Sequence, residues 1–336
     1  MKWNYYVGID VSKNYLDYAL LKGSELILNG RIDNNEVGID SFIKELNSLN
    51  DFNLNESLFC MEHPGIYNNP FLYFLKDKNV DICLESGRHI KLSGGLQRGK
   101  NDQIDALRIA QYAYKNREEI KLWSPKRQAL VRLGALSTLR RRLVGILQEL
   151  KTPINADKGF VQKEIHKEQV KLCSKSMKSI ENDISKVEKE ISQLIKKDEI
   201  LNRLFNIITS VDGIGEVTAV EVILTTNEFK DINDAKKFAC YSGVAPFEHS
   251  SGKSIRGKNK VSPMANKTMK SILHMAALSS ITIKEGEMRK YFERKITEGK
   301  NKMLILNAIR NKLIHRIFAC VNQNRKYEKI YINSLA

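Results

Sequence analysis

The sequence lacks any uninterrupted apolar run approaching the about eighteen residues that a membrane-crossing helix needs, so no spanning segment is expected. It also lacks an N-terminal apolar core followed by a small-residue cleavage site, and a secretory leader is therefore not expected either. There is no Cys-x-x-Cys pair. The five cysteines, Cys60, Cys83, Cys173, Cys240 and Cys320, are odd in number and scattered, which argues against a disulfide framework or a zinc knuckle and for reduced, mostly buried thiols. No glycine-rich loop ending in Lys-Ser or Lys-Thr is present, so nothing points to nucleotide hydrolysis. Acidic residues are in deficit: 39 against 55 lysines and arginines, a formal charge of +16. Because the excess is spread along the chain, a polyanion such as nucleic acid is the expected partner, an anionic membrane surface being the weaker alternative. A cytoplasmic protein with no membrane association is the expectation.

What is present begins with alternating strand and helix signals. At 336 residues the chain has room for two or three domains, each with its own core. Tyr5-Tyr6-Val7-Gly8-Ile9 reads as a strand ending at Asp10, and Tyr15 to Leu21 and Glu25 to Ile32 as two more joined by the turn Lys22-Gly23-Ser24. Ile39, Phe42, Ile43 and Leu46 recur at helical spacing. Ser57 to Met61 is a fourth strand stopping at Glu62 before the breaker His63-Pro64-Gly65; Asn69-Pro70 opens a helix; Val80 to Leu84 is a fifth strand. A last helix follows, giving the order βββαβαβα. That is a ribonuclease-H-like arrangement, in which the fourth strand lies beside the first and crossover helices deliver the parallel strands.

In such a sheet Asp10 and Glu62 end neighbouring strands. Asp102 and Asp105 stand three apart at the head of the apolar-periodic run Ile104, Leu107, Ile109, Ala110, Tyr112, so on a helix they share one face about a turn apart. Four carboxylates around one point repel one another and call for divalent cations. Each acid also has a plainer reading. Asp102 can N-cap its helix with Asp105 completing a capping box, Asp10 can cap the turn Asp10 to Asn14, and Glu62 can be a loop acid. His63, a lone loop histidine, reads better as a polar contact than as a ligand. Upstream of Asp102, Arg98 and Lys100 flank a flexible glycine in a loop suited to lie along phosphate.

After Trp123-Ser124-Pro125 the character changes. Leu130, Leu133, Leu136, Leu139, Leu143, Ile146 and Leu150 describe a long arginine-rich helix ending near Pro153. From Val170, positions Cys173, Met177, Ile180, Ile184, Val187, Ile191 and Leu194 step alternately by three and four, a coiled-coil seam that needs another helix, from this chain or a second protomer. The final third opens with a Gly213-Ile214-Gly215 turn ahead of a helix near Glu216. Such a turn either offers backbone N–H groups to a phosphate, as in a helix-hairpin-helix, or simply joins two packed helices. A helix from Ala235 to Tyr241 leads into Ser242 to Lys258, read as a loop. There Ser250-Ser251-Gly252 precedes Lys253, Arg256, Lys258 and Lys260, a pattern that can bind a nucleic-acid backbone or present a nucleophilic serine among cations.

Tyr6 to Lys13, the Met61-Glu62 strand end and Lys100 to Ala106 together resemble the N-terminal motifs of DEDD transposases encoded by bacterial insertion sequences of the one-hundred-and-ten family, relatives of Piv-type DNA invertases. The resemblance spans nearly the whole chain. It implies a RuvC-like N-terminal domain over 1–124, long coiled-coil helices over 125–204 and a mainly helical transposase domain over 205–336. It further implies that Asp10, Glu62, Asp102 and Asp105 bind Mg2+, with Mn2+ as a substitute, and that the serine after a Gly-x-x-Pro stretch, here Gly243 to Pro246, attacks DNA. That serine falls on Ser251, with Ser250 as the alternative. Where the family has a Gly-Asn pair and an arginine four residues past the asparagine, this chain has Ala265-Asn266 and Lys270, which puts the fine geometry of that turn in question.

The implied activity is site-specific DNA recombination through a phosphoseryl intermediate, guided by a structured bridge RNA that pairs with donor and target DNA. It would be carried out by a dimer or tetramer associated with the bacterial nucleoid. Two other functions stay open on the residues alone: a metal-dependent nuclease or junction resolvase that activates water, and a non-enzymatic nucleic-acid-binding protein.

Overall fold

The structure is a computed structural model that describes residues 2–63, 65–95, 101–251 and 255–328, with only the backbone described over 247–251 and 255–260. The chain divides into two compact units, Met1–Pro125 and Lys126–Ala336.

The first unit contains β1 (Tyr5–Val11), β2 (Tyr15–Lys22), β3 (Glu25–Asp33), α1 (Glu36–Asn47), β4 (Ser57–Glu62), α2 (Asn69–Asp77), β5 (Asp81–Glu85), α3 (Gly87–Ser93) and α4 (Asp102–Lys115). Its five-stranded sheet runs β3-β2-β1-β4-β5. The first three strands form an antiparallel meander, while β4 joins β1 and β5 joins β4 in parallel. This is the ribonuclease-H-like order expected from the strand pattern. The helix α3 was not expected; its seven residues, GRHIKLS, bury only Ile90 and carry no amphipathic period.

Side chains alternate across a strand, so the two sheet faces sort by parity. Val7, Ile9, Phe59 and Met61 pack with Ile39 and Phe42 of α1 and Phe71 of α2. Tyr6, Leu58, Cys60 and Cys83 face the other way, onto Ala106, Ile109, Ala110 and Ala113 of α4. The helix comes very close here: a Cβ built on Gly8 would lie 2.2 Å from the Ala106 carbonyl oxygen and 2.3 Å from the Ala110 nitrogen. Glycine in β1 opposite alanines in α4 lets helix backbone rest directly on strand backbone.

The second unit opens with α5 (Gln128–Ala156) and α6 (Lys163–Lys197). The helix α6 folds back on α5. Arg132 pairs with Glu190 at 2.9 Å, the Arg140 Nε donates to Glu188 at 2.8 Å, and the His166 ring meets the Ile154 carbonyl at 2.9 Å, a descending register that fixes the two as antiparallel. Two boundaries differ from expectation. The first helix continues through Pro153 to Ala156, and α6 starts at Lys163, seven residues before Val170, through a stretch too polar to carry a period.

Then come α7 (Glu199–Thr209), α8 (Glu216–Thr226), α9 (Ala235–Tyr241), β6 (Phe247–Ser251), β7 (Ile255–Lys260), α10 (Lys267–Thr282), α11 (Glu287–Thr297) and α12 (Lys302–Asn322). Their core gathers around α12, whose Ile309, Leu313, Ile314 and Ile317 are fully buried with Leu201, Ile208, Ile223, Leu273 and Ala277. The segment read as a loop is instead an antiparallel hairpin, β6 with β7, in which Ser250 pairs with Arg256 and Ser251 with Ile255. Its strands, FEHSS and IRGKNK, lack alternating apolar residues, so no strand signal arises there. Among the described residues no helix is long and apolar enough to cross a membrane.

Candidate functional site

One transverse row of the sheet carries charge on every strand. Arg31 of β3 is in register with Asp17 of β2, and Asp17 with Asp10 of β1. The β1–β4 ladder ends at Ile9 and Met61, so Asp10 and Glu62 follow side by side, and Glu62 is in register with Glu85 of β5. These residues share parity with Gly8, Ala19, Cys60 and Cys83, so the whole row points toward α4. Asp102 and Asp105 sit in the first turn of that helix.

The juxtaposition has an electrostatic signature at Asp10. Burial and then the negative charges of Asp105, Asp102, Glu62 and Asp17 push its carboxyl up from 3.8 to about 6. All four acids read from the sequence therefore belong to one electrostatic neighbourhood. The helix cap is a separate residue: Asn101 is the N-cap, its side chain accepting from Gln103 N at 3.1 Å. Asp102 is thus not needed for capping, contrary to the plainer reading of that residue.

The remaining acids find partners that the sequence reading did not single out. Asp17, with a side chain only 2% exposed, takes a forked contact from Arg31, whose Nη2 also reaches Asp102 at 3.1 Å. Asp105 pairs with Arg108 at 2.8 Å. Glu85 accepts from the Tyr112 hydroxyl at 3.0 Å and faces the His89 ring. Asp10 and Glu62 have neither an ion pair nor a hydrogen bond among the described residues. The Glu62 carboxylate occupies the space left by a missing side chain, since a Cβ on Gly87 would fall 1.8 Å from its Oε1. Only one signal for the missed residues existed: an aspartate, Asp17, in an otherwise apolar strand, which demands a buried cation. His63 is exposed, and its backbone N donates to Glu85 O at 3.0 Å.

No three His, Cys, Asp or Glu side chains among the described residues are gathered at ligating distance. Asp102 and Asp105 are engaged by Arg31 and Arg108. The donor set nevertheless fits a hard divalent cation: oxygen ligands only, with two carboxylates unpaired among the described residues and one of them raised by burial and then by its neighbours' charge. A cavity of about 430 Å³ adjoins it, lined by Glu62, Asp105, Lys91, Arg108, Tyr112 and Lys115.

In the second unit Ser250 and Ser251 close β6, while Arg256, Lys258 and Lys260 lie along β7. Arg98, Lys100 and Lys253 lie outside the described residues. Gly213 adopts φ +90° and presses on Ser280 of α10, so it is a packed turn between α7 and α8; Gly215, with open space around it, is the N-cap of α8 without a side-chain cap. At the altered turn, Gly243 takes the left-handed conformation at φ +64° and lies against Ala265, whereas Ala265 does not adopt a positive φ. Asn266 caps α10, accepting from Met269 N at 2.9 Å. Alanine is therefore compatible with this turn.

Residues 7–156, which hold all four acids, match a DEDD transposase family model, and residues 205–293, which hold the hairpin and the altered turn, match the model described as the transposase IS116/IS110/IS902 family. The chain belongs to the IS110 family of DEDD transposases. This transposase is also 25% identical over 332 residues to the pilin gene-inverting protein of Moraxella bovis, covering 96% of this chain and 98% of the relative. The corresponding protein of Moraxella lacunata matches to the same extent. A Streptomyces coelicolor protein of the insertion element IS110 is 28% identical over 123 residues, 36% of this chain and 30% of that one. As a member of this family the chain is an enzyme of DNA strand cleavage and transfer, of a kind that is typically metal-dependent.

Proposed function

We propose that this IS110-family transposase recombines DNA at specific sites through a covalent phosphoserine link, with Asp10, Glu62, Asp102 and Asp105 as the cation-holding half of the site and Ser251 as the nucleophile. The observation that carries the first half is the transverse row of charge converging on the head of α4, with Asp10 raised first by burial and then by its three partner acids and Asp17. When bound, a divalent cation, Mg2+ or Mn2+ in its place, supplies Lewis acidity at a phosphoryl oxygen and favours deprotonation of an attacking hydroxyl. Arg31 and Arg108 hold Asp102 and Asp105 at the rim, limiting repulsion among the acids until the substrate complex forms. The adjoining cavity, with Lys91 and Lys115 on its wall, has the size and charge to admit a nucleotide of the strand being cut.

Ser251 Oγ forms a bond to the scissile phosphorus as a sugar oxygen leaves it, and the serine proton ends on that sugar hydroxyl. Attack by a hydroxyl of the incoming strand reverses the step and frees the serine, so the phosphodiester energy is conserved and no nucleotide hydrolysis is required. The sequence carries a +16 charge, and the hairpin brings Arg256, Lys258 and Lys260 onto one strand opposite Ser250 and Ser251, which supports backbone binding to DNA and to a structured guide RNA. Arg98, Lys100, Lys253 and the backbone at Gly213 and Gly215 complete the proposed nucleic-acid contacts, and a dimer or tetramer lets one protomer's acids meet another's serine.

The test is a cleavage reaction on donor and target DNA with guide RNA, followed by nuclease trimming and mass spectrometry of the protein. The wild type should carry a nucleotide on Ser251, and Ser251→Ala should carry none and transfer no strands. A Ser251→Ala protein that cuts at the wild-type rate would identify a water-using nuclease instead, and an adduct on Ser250 would move the nucleophile by one residue.

A further inference from the structure

The second unit buries a guanidinium with no counter-charge among the described residues. Arg310, on α12, is 4% exposed, and among the described residues it has no ion pair and no hydrogen bond; its Nε is fully enclosed without a partner. Arginine is almost never buried unpaired, because removing its charge from water is costly unless an anion replaces the lost hydration. A second orphan lies next to it. The Nδ1 of His274, on α10, is likewise enclosed without a partner, and burial followed by the Arg310 charge lowers the pKa of that imidazole. The neutral ring can present Nδ1–H as a donor.

Both residues lie one helical turn beyond the root of the β6–β7 hairpin. Asn307, three residues before Arg310, donates from Nδ2 to the Val244 carbonyl at 2.9 Å. Lys270, four residues before His274, brings its Nζ to 4.0 Å from where a Gly243 side chain would begin. The hairpin starts at Phe247, three residues past Val244. An orphaned guanidinium and an orphaned imidazole close enough to feel its charge, with an ammonium one turn before that imidazole, thus stand on two packed helices that are tied to the segment leading into the serine-bearing hairpin.

We propose that Arg310, His274 and Lys270 form a phosphodiester-binding pocket that seats one phosphate of the nucleic-acid strand passing the β6–β7 hairpin. The forked guanidinium is suited to take two phosphate oxygens, the imidazole N–H a third contact, and the ammonium adds charge at the entrance. A nucleic-acid phosphate, rather than a protein carboxylate, is favoured by the +16 charge of the chain and by the basic hairpin sequence that continues from the same root. The proposal rests on the reading of this chain as an enzyme that handles nucleic acid.

The experiment measures the binding of the full-length protein to a short duplex DNA and, separately, a short duplex RNA across a range of salt concentrations, alongside thermal unfolding without nucleic acid. Arg310→Met should unfold at or above the wild-type temperature, since a buried uncompensated charge is gone, yet bind about tenfold more weakly. Its slope of log affinity against log salt should shrink by about 0.9, the signature of one lost phosphate contact. Loss on DNA alone, on RNA alone or on both identifies which strand uses the pocket. His274→Ala should weaken binding with the salt slope intact, because a neutral donor releases no counterion. An Arg310→Met protein that is less stable, with wild-type affinity and slope on both nucleic acids, would make Arg310 a packing residue and overturn the proposal. Should that variant fail to fold, Arg310→Lys decides: a weakened affinity at wild-type slope supports the pocket, and an unchanged affinity overturns it. Failure of the wild type to bind either nucleic acid would instead sink the functional reading beneath it.

Discussion

Two clusters of buried charge in this molecule are built on opposite terms. At the base of the second unit's helical hairpin, Arg127 donates from Nη1 to Asp198 at 2.8 Å and from Nε to Glu228 at 3.0 Å, and Lys230 reaches Glu228 at 3.0 Å. Burial alone would raise the Glu228 carboxyl, but hydrogen bonds and charge from Arg127 and Lys230 hold it below its ordinary value, and Arg127 holds Asp198 down in the same way. At the strand ends of the first unit the sign is reversed: Asp10 is raised by burial and then by the surrounding acids, and it has no cationic partner of its own among the described residues. A compensated cluster adds to the stability of the fold that contains it. An uncompensated one subtracts from it, and marks where something from outside is meant to bind.

The sharpest way to break the comparison is at Arg127. It caps the start of α5 and joins the α6–α7 corner, where Asp198 caps α7 by accepting from Leu201 N at 3.0 Å, to the turn holding Glu228. That turn is costly in itself: Asn227, Glu228 and Phe229 all have positive φ, at 49°, 58° and 64°. Arg127→Ala leaves Glu228, with its side chain 1% exposed, next to a single lysine. It should lower the unfolding free energy by about 3 kcal/mol, measured by urea denaturation. Adding Glu228→Gln should recover part of that loss, because the two sites share one interaction. A loss under about 1 kcal/mol would mean that the network is not the buried anchor described here.

At Asp10 a removal should have the opposite sign. With a carboxyl near 6 in the folded chain against 3.8 in the unfolded one, the folded protein holds a proton between these values that the unfolded chain has released. Stability therefore falls as pH rises through this window, and the cost is fully in place above about 6. Asp10→Asn should match the wild type at the acid end and melt about 2–4 °C higher at neutral pH in the presence of a chelator, while losing strand cleavage. Mn2+ at neutral pH should raise the melting temperature of the wild type more than that of the variant. A wild type that gains stability from this residue as pH rises, or an Asp10→Asn protein that melts lower at neutral pH, would show that the acids are already compensated.

How far these clusters could be read in advance depended on periodicity. The strands of the first unit announce themselves because Tyr5 to Ile9 and Ser57 to Met61 are apolar runs flanked by breakers, and α1 because Ile39, Phe42, Ile43 and Leu46 repeat at helical spacing; all are buried as that pattern requires. The acids could be placed because a fixed strand order puts strand ends together. Short or polar elements gave no such signal. The helix α3 buries one residue, and β6 and β7 alternate nothing apolar. Arg31 and Arg310 were hidden for a different reason: a lone charged residue in a polar strand or a helix looks alike whether it is paired, orphaned or solvated, and only packing tells these apart. The seam of α6 implied a partner helix, but nothing in its spacing said that α5 of the same chain would supply it.

The smallest expected effect on stability is the most selective test of the acid edge. Gly87 opens α3, and its missing side chain is the space in which the Glu62 carboxylate rests. Alanine is the better helix former by about 1 kcal/mol, and the atoms its methyl would meet are the far end of a flexible glutamate, which can swing aside at little cost. Gly87→Ala should therefore melt at or slightly above the wild-type temperature. Swinging aside, however, takes the carboxylate out of the row shared with Asp10, and a displacement of about 1 Å at a reacting centre costs on the order of 100-fold in rate. Metal-dependent cleavage measured alongside melting separates the two outcomes. A variant as stable as the wild type but slower by that factor places Glu62 among the working acids, whereas one equally stable and equally fast would leave Glu62 as a bystander at the end of β4.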